Sequence, residues 1–198
     1  VYKRQAQGDD GRGGEFRLFQ IEDGTRTESV LKTNPMEDST NATRGRVIHV
    51  WFRRSLRAHH KDQTISFTDS VSAHHVPTED PEVRIQTERF EPGVFCLRCR
   101  SLEVTLASGA GKRYVTMLAQ GKAEIEAREF SGQADVIKYD ESKKQLVIFD
   151  SEEGNPVTLH YTESRGREPM TVRGRTIYYW RETNEFRGIG LIAAEGSK

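Results

Sequence analysis

The chain has no net charge: its 30 Lys and Arg offset 30 Asp and Glu. Without a basic excess it lacks the electrostatic footprint of a nucleic-acid binder, and no global field draws it to an anionic membrane surface. No apolar run approaches the ~18 residues that cross a bilayer as a helix. Only two cysteines occur, in Cys96-Leu97-Arg98-Cys99. Such a pair does redox work when it opens a helix, whose dipole lowers the thiol pKa. Here the flanks Gly93-Val94-Phe95 and Leu102-Glu103-Val104 read as strand, on which residues three apart point to opposite faces. Both cysteines are therefore read as small buried residues. Helical periodicity is nearly absent too; only Trp51 to His60 offers a helical stretch, and it has no clear cap. The first residue is Val1 rather than Met and no signal peptide follows, which reads as a processed or trimmed segment whose targeting signal is not visible.

What is present is alternation with a period of two. Ile65-Ser66-Phe67 through Val71-Ser72-Ala73, Val83-Arg84-Ile85, Leu102-Glu103-Val104-Thr105-Leu106, Ala123-Glu124-Ile125-Glu126-Ala127 and Val157-Thr158-Leu159-His160-Tyr161 read as half-buried strands. Turn signals separate them at Glu91-Pro92-Gly93, Ser108-Gly109-Ala110-Gly111, Glu153-Gly154-Asn155-Pro156 and Gly166-Arg167-Glu168-Pro169. With 34% apolar and 30% charged residues, a thin two-layer or elongated β structure suits the chain better than a thick globule. Residues 1–15, rich in glycine and poor in apolar side chains, read as a flexible lead-in to a single domain over 16–198. Residues 34–44 read as a polar loop.

One short unit recurs: a small residue, two spacers, an apolar residue, one spacer, then an apolar residue or Tyr. The copies are Gly45/Ile48/Val50, Cys99/Leu102/Val104, Ala134/Ile137/Tyr139 and Gly174/Ile177/Tyr179, at intervals of 54, 35 and 40 residues, near the range of stacked supersecondary units. On a straight strand the small residue and the residue three on would face opposite sides. Burying both requires a bend or bulge between them, and a small side chain at the corner lets neighbouring backbones approach. The unit thus predicts strands that pass from one sheet to a facing sheet, rung after rung, as in an open sandwich or jelly roll.

Other signals carry less. Ser108-Gly109-Ala110-Gly111-Lys112-Arg113 lacks the first glycine of a phosphate loop, where Leu106 stands, and has Arg113 where Ser or Thr would bind magnesium; it reads as a hairpin loop. His59-His60 and His74-His75 diverge as strand neighbours and read as exposed histidines rather than metal ligands. No carboxylate pair, GxSxG or ordered triad calls for catalysis, so no enzyme, cofactor or metal is expected.

The repeat, above all Ala134-Asp135-Val136-Ile137-Lys138-Tyr139-Asp140 through Leu146 and its echo from Gly174 to Phe186, resembles the OstA-like domain of lipopolysaccharide transport proteins, the LptA/LptC/LptD jelly-roll family. Leu118-Ala119-Gln120-Gly121-Lys122-Ala123-Glu124-Ile125 is similar to the family's A-x-G-x-(A/V)-x-I strand, and Phe67-Thr68-Asp69-Ser70-Val71 to its F-x-x-x-V strand. The likeness spans about residues 45 to 190. It implies an all-β, open V-shaped antiparallel jelly roll whose apolar groove takes the acyl chains of lipopolysaccharide or another amphipathic lipid. It also implies periplasmic location, with a membrane anchor in the full-length protein left open. Partners would be other Lpt-like jelly rolls, self-association included, joined by edge-to-edge strand pairing through residues near 45–52 and 177–190. The longer interval from Val50 to Leu102 departs from a simple bridge protein.

A slot for several acyl chains gains about 0.8 kcal/mol per buried CH₂. Its expected lining is Ile48, Val50, Leu102, Val104, Leu106, Ile137, Tyr139, Leu146, Ile148, Leu159, Ile177, Tyr179 and Phe186, although a closed core would have the same signature. Headgroup phosphates want cations; Arg53 and Arg54 with Arg57, Lys112 and Arg113, Lys143 and Lys144, and Arg173 and Arg175 are candidates, or else solvated edge charges. Two rivals stay open. A carbohydrate-binding sandwich would use the outward aromatics Trp51, Tyr178 and Trp180, and a structural spacer would have a closed core and no ligand.

Overall fold

The computed structural model describes residues 4–9, 13–21, 45–85, 90–91, 93–109, 112–150, 156–162, 170–183 and 185–195. The described chain is strand throughout its regular structure, with no helix. Its strands are β1 (Arg4–Asp9), β2 (Gly13–Ile21), β3 (Gly45–Phe52), β4 (Ser55–His59), β5 (Thr64–Pro77), β6 (Phe95–Gly109) and β7 (Lys112–Ala127), then β8 (Phe130–Asp140), β9 (Gln145–Phe149), β10 (Val157–Tyr161), β11 (Met170–Gly174), β12 (Thr176–Trp180), β13 (Glu185–Ile189) and β14 (Ala193–Glu195). All belong to one continuous 14-stranded sheet, and every pairing is antiparallel.

That sheet folds over on itself. The C-terminal part of β5 pairs with β3, whereas its N-terminal part pairs with β4. Likewise the start of β8 pairs with β10 and its end with β9. Consequently β5 to β8 each run through both layers of an open V-shaped jelly roll. The first layer is completed by β1, β2, β3, β10, β11 and β14, and the second by β4, β9, β12 and β13.

The bend line passes where the repeat places it, for three of its four copies. In β6 buried Leu97 and Cys99 give way to Leu102, Val104 and Leu106, so the inward set changes parity between Cys99 and Leu102. The register against β7 shifts between Arg98 and Ser101. β8 does the same from Ala134 to Ile137, and the step from Gly174 at the end of β11 to Ile177 in β12 carries the chain between layers. The partner strands β5 and β7 instead keep their parity and insert a left-handed pair, Asp69-Ser70 (φ 67° and 49°) and Gly121-Lys122 (φ 79° and 52°). Adjacent strands must turn together to stay hydrogen-bonded, and an extra residue in alternate strands lets them do so.

Several expectations are corrected. Gly45 lies at the far end of β3, not at a corner; a Cβ there would come within 2.5 Å of the Thr78 carbonyl, which is why the position is small. The corner of that rung is Arg53-Arg54, whose amides donate to Asp69 and Thr68 carbonyls at 2.8 and 3.2 Å. Trp51 to His60 is the end of β3, this corner and β4, not a helix. In the expected lead-in, Arg4–Asp9 forms β1 on β2, because main-chain pairing does not need apolar side chains. Val83 to Ile85 is not a strand; it lies over the first layer, where Arg17 donates to the Pro81 and Val83 carbonyls at 3.1 and 3.3 Å. Residues 34–44 lie outside the described residues.

Candidate functional site

Inward residues of both layers meet in one apolar cluster that runs the length of the stack. Twelve of the thirteen expected lining residues, Ile48, Val50, Leu102, Val104, Leu106, Ile137, Tyr139, Leu146, Ile148, Leu159, Ile177 and Tyr179, are buried in it, and Phe186 packs against it half-buried. The sequence parity therefore assigns the inner face correctly, and the layers are in contact across it.

The side chains differ from one end of each rung to the other. Along the bend they are small: Cys99, Ala119, Ala123 and Ala134 are all buried. At the opposite edge, the mouth of the V, they are aromatic. Phe95 and His75 of the first layer pack on Tyr139 of the second at 5.2 and 6.0 Å between ring centroids. Phe130 meets Tyr179 at 4.9 Å, and Tyr161 meets Phe186 at 4.8 Å. Burial pushes the Tyr179 hydroxyl up to about 12.

Polar groups close the same mouth beside β3. Arg46 shares its parity with Ile48 and Val50, so it points between the layers, and it forms an ion pair with Glu141, which follows β8 in the second layer. Both are buried. Arg181, just after β12, donates to the Gly93 carbonyl at 2.9 Å and lies over the Phe95 ring at 5.2 Å. His75 is stacked on Phe95 at 4.7 Å. Burial, reinforced by Arg181 and Arg46, holds its pKa down at about 3, and the Gly93 backbone acts in the opposite direction.

Of the expected headgroup cations Lys144 reaches this mouth, its Nζ 4.0 Å from Glu141 Oε1, whereas others lie elsewhere. Arg53, Arg54 and Arg175 are exposed at the bend, and Arg173 is exposed on the outer face of β11; the side chains of Lys112 and Arg113 lie outside the described residues. Arg46, Glu141 and Arg181 were missed, although Arg46 left a signal: a charge on the apolar parity of its strand. Contact across the mouth joins residues from distant strands and leaves no trace in local spacing.

The outer face of the first layer holds a second buried cluster. His49 pairs with Glu15, the Trp51 ring lies tilted against His49 with centroids 3.8 Å apart, and His74 lies 3.4 Å from both Cys96 Sγ and Ser72 Oγ. His74 and His75 are thus buried on opposite faces, not exposed as expected. Burial lowers the His74 pKa to about 4 and raises that of the Cys96 thiol. Cys99, on the inner face, is pushed up to about 12 by burial. Such protonated thiols are poor nucleophiles. Among the described residues no group of His, Cys, Asp and Glu is placed to hold a metal ion. Tyr178 and Trp180, on the outer face of β12, are half-buried and stacked at 6.1 Å.

No protein-family model matches the chain, and no curated protein sequence matches it. Among solved structures it is similar to LptH of Pseudomonas aeruginosa, the LptA-homologous periplasmic component of the lipopolysaccharide transport device. The TM-score is 0.50 at 12% sequence identity, covering 71% of this chain and 80% of that one. The likeness shows an Lpt-like fold.

Proposed function

We propose that the chain binds lipopolysaccharide or a similar amphipathic lipid between its layers and passes it along the stack, without covalent chemistry, as part of a periplasmic transport bridge. The observation that carries this reading is the pairing of an LptH-like fold with a continuous apolar inner face along successive rungs. Binding alone cannot move lipid uphill, so direction would come from an external energy source.

Partners would join at the ends of the stack. The end strands are β1 and β4 on one side and β13 and β14 on the other. This revises the expected contact region: β3, over residues 45–52, is paired with both β2 and β5 and has no free edge. At the C-terminal end Ile189, Leu191 and Ile192 are 52, 54 and 66% exposed, which suits strand addition by a second jelly roll.

Photocrosslinkers at Ile137, Tyr139 and Ile177, with exposed Lys143 as control, test the lipid reading. Adducts with purified lipopolysaccharide are expected at the three inward positions only. The contact between layers favours a spacer as second reading, and silence at all three positions in a folded protein would select it.

A further inference from the structure

Glu141 is an acid lodged at an apolar mouth, 3% exposed. Two hydrogen bonds tie it to its own layer: its amide donates to the Val115 carbonyl at 3.0 Å, and the Val115 amide donates to Oε2 at 2.8 Å. Its other oxygen, Oε1, faces Arg46 across the mouth, and Lys144 Nζ lies 4.0 Å from that same oxygen. Arg181 flanks the group, held by the Gly93 carbonyl over Phe95 and Tyr139. Its amide also donates to the Lys144 carbonyl at 2.9 Å, which couples the two cationic segments. The result is a polar cap beside the rings of His75, Phe95 and Tyr139, with Arg46 and Lys144 on the Glu141 carboxylate and Arg181 over the Phe95 and Tyr139 rings; the charges of all three cations reach His75.

Resting on the lipid-binding reading above, we infer that Arg46, Lys144 and Arg181 form a site for the phosphate of an anionic lipid at the mouth. In the free protein Glu141 occupies that site and latches the layers together. A carboxylate and a phosphate make the same charge-assisted bonds with guanidinium and ammonium groups, and the phosphate brings more charge and more acceptor oxygens. Arg46 and Glu141 stand on opposite layers, so acyl chains that part the layers must separate them. A phosphate at the chain head then takes the cations that Glu141 gives up. Because Arg46 lies in line with Ile48 and Val50, its guanidinium meets the head of a lipid whose tails lie on those residues.

The test compares lipid A carrying its phosphates with the same lipid after phosphatase treatment, measuring affinity for the full chain with a fluorescent acyl label. The native protein is expected to prefer the phosphorylated lipid by about tenfold or more. Glu141→Gln, which unlatches the mouth, should bind both lipids more tightly and keep the preference. Arg46→Gln/Glu141→Gln leaves no buried charge unpaired and so should fold; in it, and in Arg181→Gln, the preference should fall at least about threefold. Millimolar inorganic phosphate should weaken only the phosphorylated lipid. An unchanged preference in both Arg variants, or equal binding of the two lipids by the native protein, would overturn the phosphate site and leave lipid binding standing. Inorganic phosphate held as tightly as the phosphorylated lipid would make this a free-phosphate site and overturn the assignment. If neither lipid binds any variant while thermal melts remain cooperative, the lipid reading itself falls, and the site with it.

Discussion

The bend and the mouth join the same two layers by opposite means. At the bend the connection is the backbone: β5 to β8 run through it, their ladders continue on both sides, and the side chains are small. At the mouth the contacts that span the layers are made by side chains, namely the aromatic pairs, the Arg46–Glu141 ion pair and Arg181. A backbone corner resists opening because ladder hydrogen bonds would break, whereas a side-chain contact separates by changing rotamers. On the lipid-binding proposal, the mouth is therefore the edge at which a ligand would enter and the bend the line about which the layers would part.

The largest expected effect comes from cutting one side of the mouth's ion pair. Arg46→Leu leaves Glu141 buried without that partner and should cost about 3–5 kcal/mol in urea unfolding. The double variant Arg46→Leu/Glu141→Leu should recover most of that loss, since an apolar pair of similar size is often neutral or better. Additive losses would mean that the two residues do not act as a unit.

Acid should act on the mouth next. His75, held down at about 3 by burial and the nearby cations, stays neutral in the folded protein, while the unfolded chain takes up a proton below its ordinary value of 6.5. Protons therefore favour unfolding, and stability present above pH 6.5 is lost progressively down to about pH 3, by at most about 1.4 kcal/mol per pH unit. His74, at about 4, acts in the same sense on the outer face. His75→Phe should flatten the acid slope of the urea midpoint, and an unaltered slope would remove His75 from the account.

Smallest is the effect at the bend. Lys122 has φ 52° and a side chain, so Lys122→Gly should stabilise by about 1 kcal/mol. Gly121→Ala, at φ 79° with its new Cβ 2.9 Å from Arg100, should destabilise by a similar amount. Equal and opposite shifts in melting temperature would localise the strain to the left-handed pair; matching signs would refute it.

Much of this was readable in advance for a local reason. Alternation along a strand names its buried face, and a parity change flanked by a small residue names a corner, so β6, β8 and the β11–β12 step were legible. The corners of β5 and β7 were less so, because their parity does not change; only the turn-type pairs Asp69-Ser70 and Gly121-Lys122 mark them. Glycine at 45 misled, since smallness there answers to the Thr78 backbone rather than to a bend.

The sequence by itself determined the all-β class, the inward set and the corners of β6, β8 and the β11–β12 step, because each depends on residues within a few positions of one another. Only the tertiary structure decided that the mouth is closed, that Arg46 meets Glu141 and Arg181 meets Gly93 there, and that Arg53 and Arg175 lie at the bend. Those pairings join strands far apart in the chain, and which cations reach the apolar face depends on how far each strand runs before it turns.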